Sequence, residues 1–140
     1  MLECGLMSKV YSLLAVLFEL AQPVHTAVSR RHDPEFIRSI NQYVSVHYTE
    51  ALTVKKLCAE LGFSERNFYR LFQQNYGTTF VDYLREFRIQ RAAIDYRNSD
   101  LSVCEIAAAV GFTDYCYFSR SFKNVIGMPP ARYFRQYSSR

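Results

Sequence analysis

The chain has 140 residues, a net charge of +4 at pH 7, and contents of 49% hydrophobic and 16% aromatic residues. This length allows one domain or two small ones, and the hydrophobic and aromatic contents exclude a disordered chain. Basic residues collect at the carboxyl end, where no acidic residue follows Asp114. Such a bias favours an anionic partner, although a solvated basic face would have the same composition. The basic residues in this part are Arg120, Lys123, Arg132, Arg135 and Arg140.

Residues 1–32 are predicted to form an amphipathic helix and a linker. Apolar residues recur at helical spacing across 6–21, and Pro23 ends the helix. The apolar run at 10–20 contains Glu19 and is too short to span a bilayer, so no membrane segment is expected and its resemblance to a signal peptide is faint. The apolar stripe needs a surface to bury it, either the rest of this chain or a second copy in a homodimer. The stripe consists of Leu6, Val10, Leu13, Leu14, Leu17 and Ala21.

The four cysteines show no pairing pattern. They form no CxxC pair, and no histidine lies at metal-ligand spacing from them. Free thiols in a reducing cytoplasm are therefore expected, with no metal site and no cofactor. Cys58 falls within a predicted helix, where it is expected to act as a small core residue. The others are Cys4, Cys104 and Cys116.

From Asp33 onward, the sequence predicts helices and no strands. Asp33 and Pro34 suit the cap and the first position of a helix. Thr53 and Ser64 are expected to cap two further helices, the first with Lys56 where a complete capping box would place Glu. One face of the first helix is expected to carry Phe36, Ile37, Ile40, Tyr43, Val44 and His47. The residues expected to be buried in the next two helices are Val54, Leu57, Cys58, Leu61, Phe68, Leu71 and Phe72.

The chain repeats one helical motif. The segment LTVKKLCAELGFSERNFYRLF, which begins at Leu52, recurs from Leu101 as LSVCEIAAAVGFTDYCYFSRSF. Each copy has a short helix, a turn at Gly62 or Gly111, and a second helix, which is the outline of a helix-turn-helix. Glycine suits such a turn because it accepts a positive φ.

The two helix-turn-helix units are predicted at 53–75 and 102–125, within a domain at 33–140. In the second unit, Ser102 and Thr113 are expected to cap the two helices. A long helix at 79–97 should connect the units, and a short helix after Pro130 should end the domain. The buried residues expected in the connecting helix are Phe80, Leu84, Phe87, Ala92 and Tyr96.

The second helix of each unit exposes side chains that can read DNA bases. Arginine and glutamine form bidentate hydrogen bonds with base edges in the major groove. In the first unit, Arg66, Tyr69, Arg70 and Gln73 lie one helical turn apart in pairs and so share a face. A connecting helix of about 19 residues would span roughly 28 Å, enough with its turns to hold two such helices about 34 Å apart, one turn of B-DNA. Because the two exposed faces differ, the DNA site should be asymmetric.

Residues 36–137 closely resemble the AraC-type (arabinose-regulator) DNA-binding domain of bacterial transcription factors. The residues that carry the resemblance are Ile106, Ala107, Val110, Gly111, Phe112, the run Tyr117 to Lys123, Gly127 and Pro130, with Leu57, Cys58, Gly62, Ser64, Arg70, Phe72, Gly77 and the run Arg88 to Ala92. The resemblance implies an all-α fold of two homeodomain-like helix-turn-helix subdomains, joined by one long helix. It also implies sequence-specific binding of double-stranded DNA and activation of transcription through RNA polymerase.

The resemblance also implies which residues contact DNA. Base contacts are expected from Arg66, Tyr69 and Arg70 in the first unit, to which the shared helix face adds Gln73. In the second unit they are expected from Tyr115, Cys116, Ser119 and Arg120. Phosphate contacts are expected from the residues at or near the two helix starts and from one lysine, because helix N-termini favour anions. These residues are Ser64, Asn67, Thr113 and Lys123.

Four positions depart from the family pattern. Cys58 replaces the usual alanine, a small change in bulk. Asp95 replaces a leucine, so the inward face of the connecting helix is expected to continue through Ile94 and Tyr96 instead. Tyr115 and Cys116 replace a commoner polar pair, so the second unit is expected to read bases less strongly than the first.

The family resemblance gives residues 1–32 a second interpretation. Many members carry an effector-binding barrel before the DNA-binding domain, closed by helices that pair two chains, and 7–21 resembles the last of these helices. The chain would then be a fragment of a longer sensor-regulator. The alternative is a stand-alone member in which this helix has another role.

No enzyme class is indicated by the sequence. It has no glycine-rich phosphate loop, metal cluster or nucleophile elbow, and His47 is expected to be a surface or boundary residue. The alternative function is a helical protein-interaction module that uses the same fold without specific DNA binding. That module would bind DNA weakly and independently of salt, whereas a DNA-binding regulator loses affinity steeply with salt.

Overall fold

A computed structural model describes residues 32–137, which form seven α-helices and, within that range, no strand. The all-α prediction is confirmed, whereas the predicted helix at 7–21 and Cys4 lie outside the described residues. Every described residue belongs to a single compact unit. In chain order the helices are α1 (Pro34–His47), α2 (Val54–Leu61), α3 (Glu65–Tyr76), α4 (Phe80–Asp95), α5 (Val103–Ala109), α6 (Tyr115–Ile126) and α7 (Pro130–Tyr137).

Most helix starts follow the predicted caps. The Asp33 carboxylate accepts hydrogen bonds from the first turn of α1, and the hydroxyls of Thr53 and Ser64 accept from the backbone three residues on. α5 has a complete capping box, in which the Ser102 hydroxyl accepts from the Glu105 amide at 3.3 Å and the Glu105 carboxylate accepts from the Ser102 amide at 2.7 Å. Each cap satisfies backbone donors that have no partner within the helix.

The cap predicted at Thr113 is wrong, because Asp114 caps α6. The Asp114 backbone is extended, and its carboxylate accepts a hydrogen bond from the Tyr117 amide at 3.1 Å. Asp114 thus takes the place that Ser64 has in the first unit, and Thr113 is the extra residue that lengthens the second turn. The second unit therefore begins its recognition helix with a negative charge where the first has a neutral hydroxyl.

The connecting helix is shorter than predicted. α4 spans 16 residues, and at 1.5 Å per residue it is about 24 Å long. Thr79 is its cap rather than its first residue, and the helix ends before Tyr96, whose φ of −110° leaves the helical region. The amide and hydroxyl of Ser99 both donate to the Tyr96 carbonyl at 3.1 and 3.0 Å, so the chain closes a turn there.

The two halves of α4 belong to two separate cores. Its first half contributes Phe80 and Leu84 to a core with α1, α2 and α3, and its second half contributes Ile89, Ala92 and Ala93 to a core with α5, α6 and α7. The other buried residues of the first core are Phe36, Ile40, Tyr43, Val44, Leu57, Cys58, Phe68 and Phe72. Those of the second core are Ile106, Ala107, Val110, Phe112, Phe118, Phe122 and Phe134.

Three details of the predicted core differ in the structure. The expected inward face through Ile94 is wrong, since Ile94 is 58% exposed and Ala92 and Ala93 are buried in its place. Phe87 and Tyr96 are half-buried rather than buried. α4 ends at Asp95, and side chains from α5 and α6 fill most of the second core. The small Ala92 and Ala93 therefore pack inside this core, whereas the larger Tyr96 packs against its outside. Half-buried positions also include Ile37, His47, Val54, Leu61 and Leu71.

Arg88 on α4 lies between the two cores and links α4 to the segment that follows α1 through hydrogen bonds. Its Nε donates to the Tyr48 carbonyl at 2.6 Å and its Nη2 donates to the Glu50 carbonyl at 2.7 Å, just after α1. The Tyr48 ring packs against both cores. On the other side, a Cβ placed on Gly111 would lie 3.0 Å from Arg88 Nε and from the Tyr48 carbonyl oxygen. The turn of the second unit therefore sits directly on this arginine.

Candidate nucleic-acid interface

α3 presents the polar face that the sequence predicted. Phe68 and Phe72 bury one side of the helix in the first core, which leaves the opposite side to solvent. Four candidate base-reading side chains are exposed there, and the Tyr69 ring is 55% exposed. Their donors are therefore available to a ligand that approaches this face. They are Arg66, Tyr69, Arg70 and Gln73.

The Arg70 guanidinium is held in place by its neighbours on α3. Its Nη2 donates to Asn67 Oδ1 at 2.7 Å, and its Nη1 donates to Gln74 Oε1 at 3.5 Å. Asn67 was expected to contact phosphate, but in the free protein its half-buried side chain is used to orient Arg70. A pre-oriented arginine loses less rotamer entropy when it binds a ligand.

α6 presents a different set of exposed side chains from α3. Tyr115, Cys116, Arg120 and Lys123 are exposed, whereas Ser119 is half-buried. At the start of α6, the Asp114 carboxylate accepts a hydrogen bond from the Tyr117 amide. Each recognition helix thus carries one carboxylate near its N-terminus, Asp114 at the cap of α6 and Glu65 in the first turn of α3.

A cleft of about 550 Å³ opens between the two recognition helices. Glu65 and Tyr69 of α3 line one wall, and Thr113 and Tyr117 beside α6 line the other. Its floor is formed by Val81, Leu84, Arg85 and Arg88 of α4. Lys55, at the start of α2, also lines the cleft. The cleft thus touches both helix-turn-helix units and the helix that joins them.

Arg85 is fixed within this cleft. Its Nη1 lies 2.9 Å from Asp82 Oδ1, and its hydrogen bond with Tyr117 raises the pKa of the guanidinium. Arg88, half-buried below, has its pKa lowered by burial, since desolvation disfavours the charged form. Both stay charged at neutral pH, because an arginine pKa starts above about 12.

Sequence reasoning missed Lys55, Arg85 and Arg88 as functional candidates. Lys55 resembles any exposed residue of a helix start, and nothing in the pattern separates it from Lys56, whose Nζ pairs with Glu50 at 3.1 Å. The one available signal was that Arg85 and Arg88 lie three residues apart on an otherwise largely apolar connecting helix. Asp82 lies three residues before Arg85, but the backbone partners of Arg88 lie 38 and 40 positions away and could not be identified from spacing.

The remaining predictions concern thiols, metals and membranes. Cys58 is buried and free, and Cys104 and Cys116 are free and exposed. Across residues 32–137 no group of three or more histidine, cysteine, aspartate or glutamate side chains could hold a metal ion. No helix in the described range is long and apolar enough to cross a bilayer. His47 is half-buried, and its Nδ1 lies 3.1 Å from Glu50 Oε1, as expected of a boundary residue.

Two helix-turn-helix units joined by one helix define a class of DNA-binding protein. A family model described as a helix-turn-helix domain matches residues 57–136, more than half of the chain. The chain belongs to the AraC-type helix-turn-helix family. It is a DNA-binding transcriptional regulator, in a family of regulators rather than enzymes.

Individual relatives agree with this assignment. The Msm operon regulatory protein of Streptococcus mutans is 26% identical over 134 residues, which cover 96% of this chain and 48% of that protein. The chain thus spans about half the length of that relative. The C-terminal domain of AraT, a response regulator from Geobacillus stearothermophilus, is 31% identical, with a TM-score of 0.66 over 76% of this chain and 88% of the domain. The DNA-binding domain of AdpA, solved in complex with a target DNA, is 26% identical, with a TM-score of 0.65 over 73% of this chain and 91% of that one.

Proposed function

We propose that this regulator recognises a bipartite, asymmetric DNA site by placing α3 and α6 in successive major grooves on one side of the duplex. The observation that carries this proposal is the exposed polar face of α3, which the buried Phe68 and Phe72 hold outward. The two units belong to one compact body, so both helices can engage the same duplex. Because their exposed residues differ, the two half-sites should differ in sequence.

The proposed roles of the residues follow from side-chain chemistry. Arginine and glutamine read base edges in the major groove, whereas hydroxyls, amides and lysine hold phosphates. The proposed base contacts are Arg66, Tyr69, Arg70 and Gln73 on α3, and Tyr115, Cys116, Ser119 and Arg120 on α6. The proposed phosphate contacts are Ser64, Thr113 and Lys123, whereas Asn67, for which the sequence predicted a phosphate contact, is proposed to orient Arg70. The pre-oriented Arg70 supports α3 as the stronger reader of bases.

Transcriptional activation through contact with RNA polymerase is part of the same proposal. Its support is the family assignment, together with a relative named as an operon regulatory protein. The division into 1–32 and 33–140, a homodimer formed through the leading segment, and a cytoplasmic location also stay predictions. A promoter fusion that carries the selected site should gain transcription when the protein is present.

Selection of binding sites from a random duplex pool tests the proposed function. Two unlike half-motifs about ten base pairs apart are expected, one helical turn of DNA. Arg66→Ala and Arg70→Ala should each weaken binding to the best duplex by about 1–3 kcal/mol and relax sequence preference in the half-site read by α3. Affinity should fall steeply with salt, measured by fluorescence anisotropy.

Arg38→Ala provides a matched control, because Arg38 is an exposed arginine on α1, outside both recognition helices. It should leave the selected half-motifs unchanged. Recovery of one short motif would mean that α6 reads no bases. Unchanged binding in both the Arg66 and Arg70 variants would show that α3 has been assigned the wrong role.

A further inference from the structure

The cleft between the two recognition helices contains charge and exposed apolar surface that base reading does not use. Val81 on its floor is 66% exposed, and Tyr117 on its wall is 40% exposed. Lys55 and Arg85 bring positive charge to the same space. We propose that this cleft is a contact surface for the sugar–phosphate backbone of the DNA that lies between the two half-sites.

The position of the cleft determines what it can meet. Its walls are formed by Glu65 and Tyr69 of one unit and by Thr113 and Tyr117 of the other. When recognition helices occupy successive major grooves on one side of a duplex, the stretch between them is a minor groove bordered by two phosphate strands. Because the cleft lies between the two recognition helices, that stretch is the part of the duplex expected to face it.

The charge of the cleft suits phosphate. Lys55 and Arg85 reach the cleft, Arg88 lies beneath, and Glu65 is the one carboxylate among the lining residues. Asp82 pairs with the Arg85 guanidinium at 2.9 Å and offsets part of its charge, so Lys55 is the main source of attraction for phosphate in this proposal. A lysine that neutralises a phosphate releases counterions from DNA.

The apolar part of the cleft suits the sugar. Val81 lies on the outward side of α4, remote from both cores, so burial in the fold does not explain it. Val81, with the rings of Tyr69 and Tyr117, offers a surface that a deoxyribose can cover. Such contacts carry no sequence information and would fix the register of the two units on the duplex.

Lys55 and Lys56 supply a matched pair for the test, which rests on the proposed function. They are adjacent on α2, but Lys55 lines the cleft whereas Lys56 is paired with Glu50. With the full chain and the selected bipartite duplex, Lys55→Ala should reduce the slope of log affinity against log salt by about one, without changing the selected sequence. Lys56→Ala should leave the slope as in the unchanged protein.

Chemical neutralisation of the DNA identifies the phosphates concerned. Methylphosphonates placed only between the half-motifs should weaken binding of the unchanged protein and reduce its salt slope. The methylphosphonate substitution should weaken binding of the Lys55→Ala variant by a smaller factor, because that variant has already lost the lysine's contact with these phosphates. Equal losses in both proteins would overturn the proposal, as would equal slopes for the Lys55 and Lys56 variants.

Glu65→Gln tests the sign of the effect. The loss of the carboxylate removes repulsion from the central phosphates, so affinity for the bipartite duplex should rise. Unchanged or weaker binding contradicts the proposal, and thermal melting verifies that the variant is folded. Failure of the unchanged protein to select any bipartite duplex would instead reject the proposed function, so the two failures can be told apart.

Discussion

Asn67 orients the side chain of Arg70, one of the proposed base-reading residues. Its Oδ1 accepts a hydrogen bond of 2.7 Å from Arg70, a residue one turn along α3. This contact selects one rotamer of a long side chain that would otherwise sample many. The same geometry cannot arise on α6, where Tyr117 follows the cap at the matching position.

Asn67→Ala should therefore weaken binding to the selected duplex by less than Arg70→Ala does. The double variant should bind no more weakly than Arg70→Ala alone, because both changes act on one contact. Competition binding with single-base variants of the duplex measures this, and lost discrimination should fall in the bases that Arg70 reads. Additive losses that are equal for all sequences would instead support the phosphate role predicted for Asn67.

At the scale of the element, α5 shows why the second unit needs a strong cap. α5 has only seven residues, too few to be stable without help from its ends and its packing. Its capping box satisfies two backbone donors reciprocally. α2 has eight residues and a single cap bond at Thr53, with Lys56 unable to return the second.

Ser102→Ala should lower the free energy of unfolding by about 1 kcal/mol, because it removes the acceptor of the Glu105 amide. Urea unfolding followed by circular dichroism measures the loss. Thr53→Ala is the comparison, since it removes the corresponding bond of α2. A variant of Ser102 as stable as the unchanged protein would show that packing alone holds α5.

Glu105 should make this cap depend on pH. Its hydrogen bonds with Ser102 lower the pKa of the carboxyl. A lowered pKa in the folded state means that the stabilisation is complete above the ordinary glutamate value of about 4.3 and is lost as pH falls through the lowered value. The unchanged protein should thus be more stable than Glu105→Gln at pH 7, and the difference should vanish in acid.

At the scale of the molecule, the junction at Arg88 sets how the two units are held relative to each other. The guanidinium binds two carbonyls after α1 and lies under the turn of the second unit. The proposed bipartite site requires a constant distance and orientation between the two units, because the duplex sets the spacing of the two half-sites. The two cores share α4 and the Tyr48 ring, so a shift at this junction would move α6 relative to α3.

Gly111→Ala should disturb this junction, and Gly127→Ala is its matched control. The two glycines have similar φ values of 96° and 93°, but a Cβ meets atoms within 4 Å only at Gly111. Both changes should destabilise through the left-handed backbone by roughly 1 kcal/mol. Gly111→Ala should cost more and should broaden the tolerated spacing between half-motifs.

Melting temperature and selection from spacer-varied duplexes measure the two effects. Equal destabilisation in the two variants would mean that Arg88 and Tyr48 adjust freely to the added Cβ. Spacing preference as narrow as in the unchanged protein would mean that the junction does not set the distance between the units.

The sequence by itself determined the helices, most of their caps, the repeat and the exposed face of α3. These features depend on interactions within a few residues, such as a hydroxyl three positions before an amide, and on apolar spacing that is visible along the chain. The error at Thr113 has the same local origin, because the longer second turn contains two adjacent residues that can both cap a helix.

Only the tertiary structure decided which side chains meet across the molecule. Arg88 and Tyr48 are 40 residues apart, and neither their hydrogen bond nor the crowding at Gly111 has a local pattern. The division of α4 between two cores and the cleft that contains Lys55 depend likewise on where the units come to rest. Local hydrogen bonding and burial form the two helical units, whereas the position of one unit relative to the other depends on contacts between distant parts of the chain.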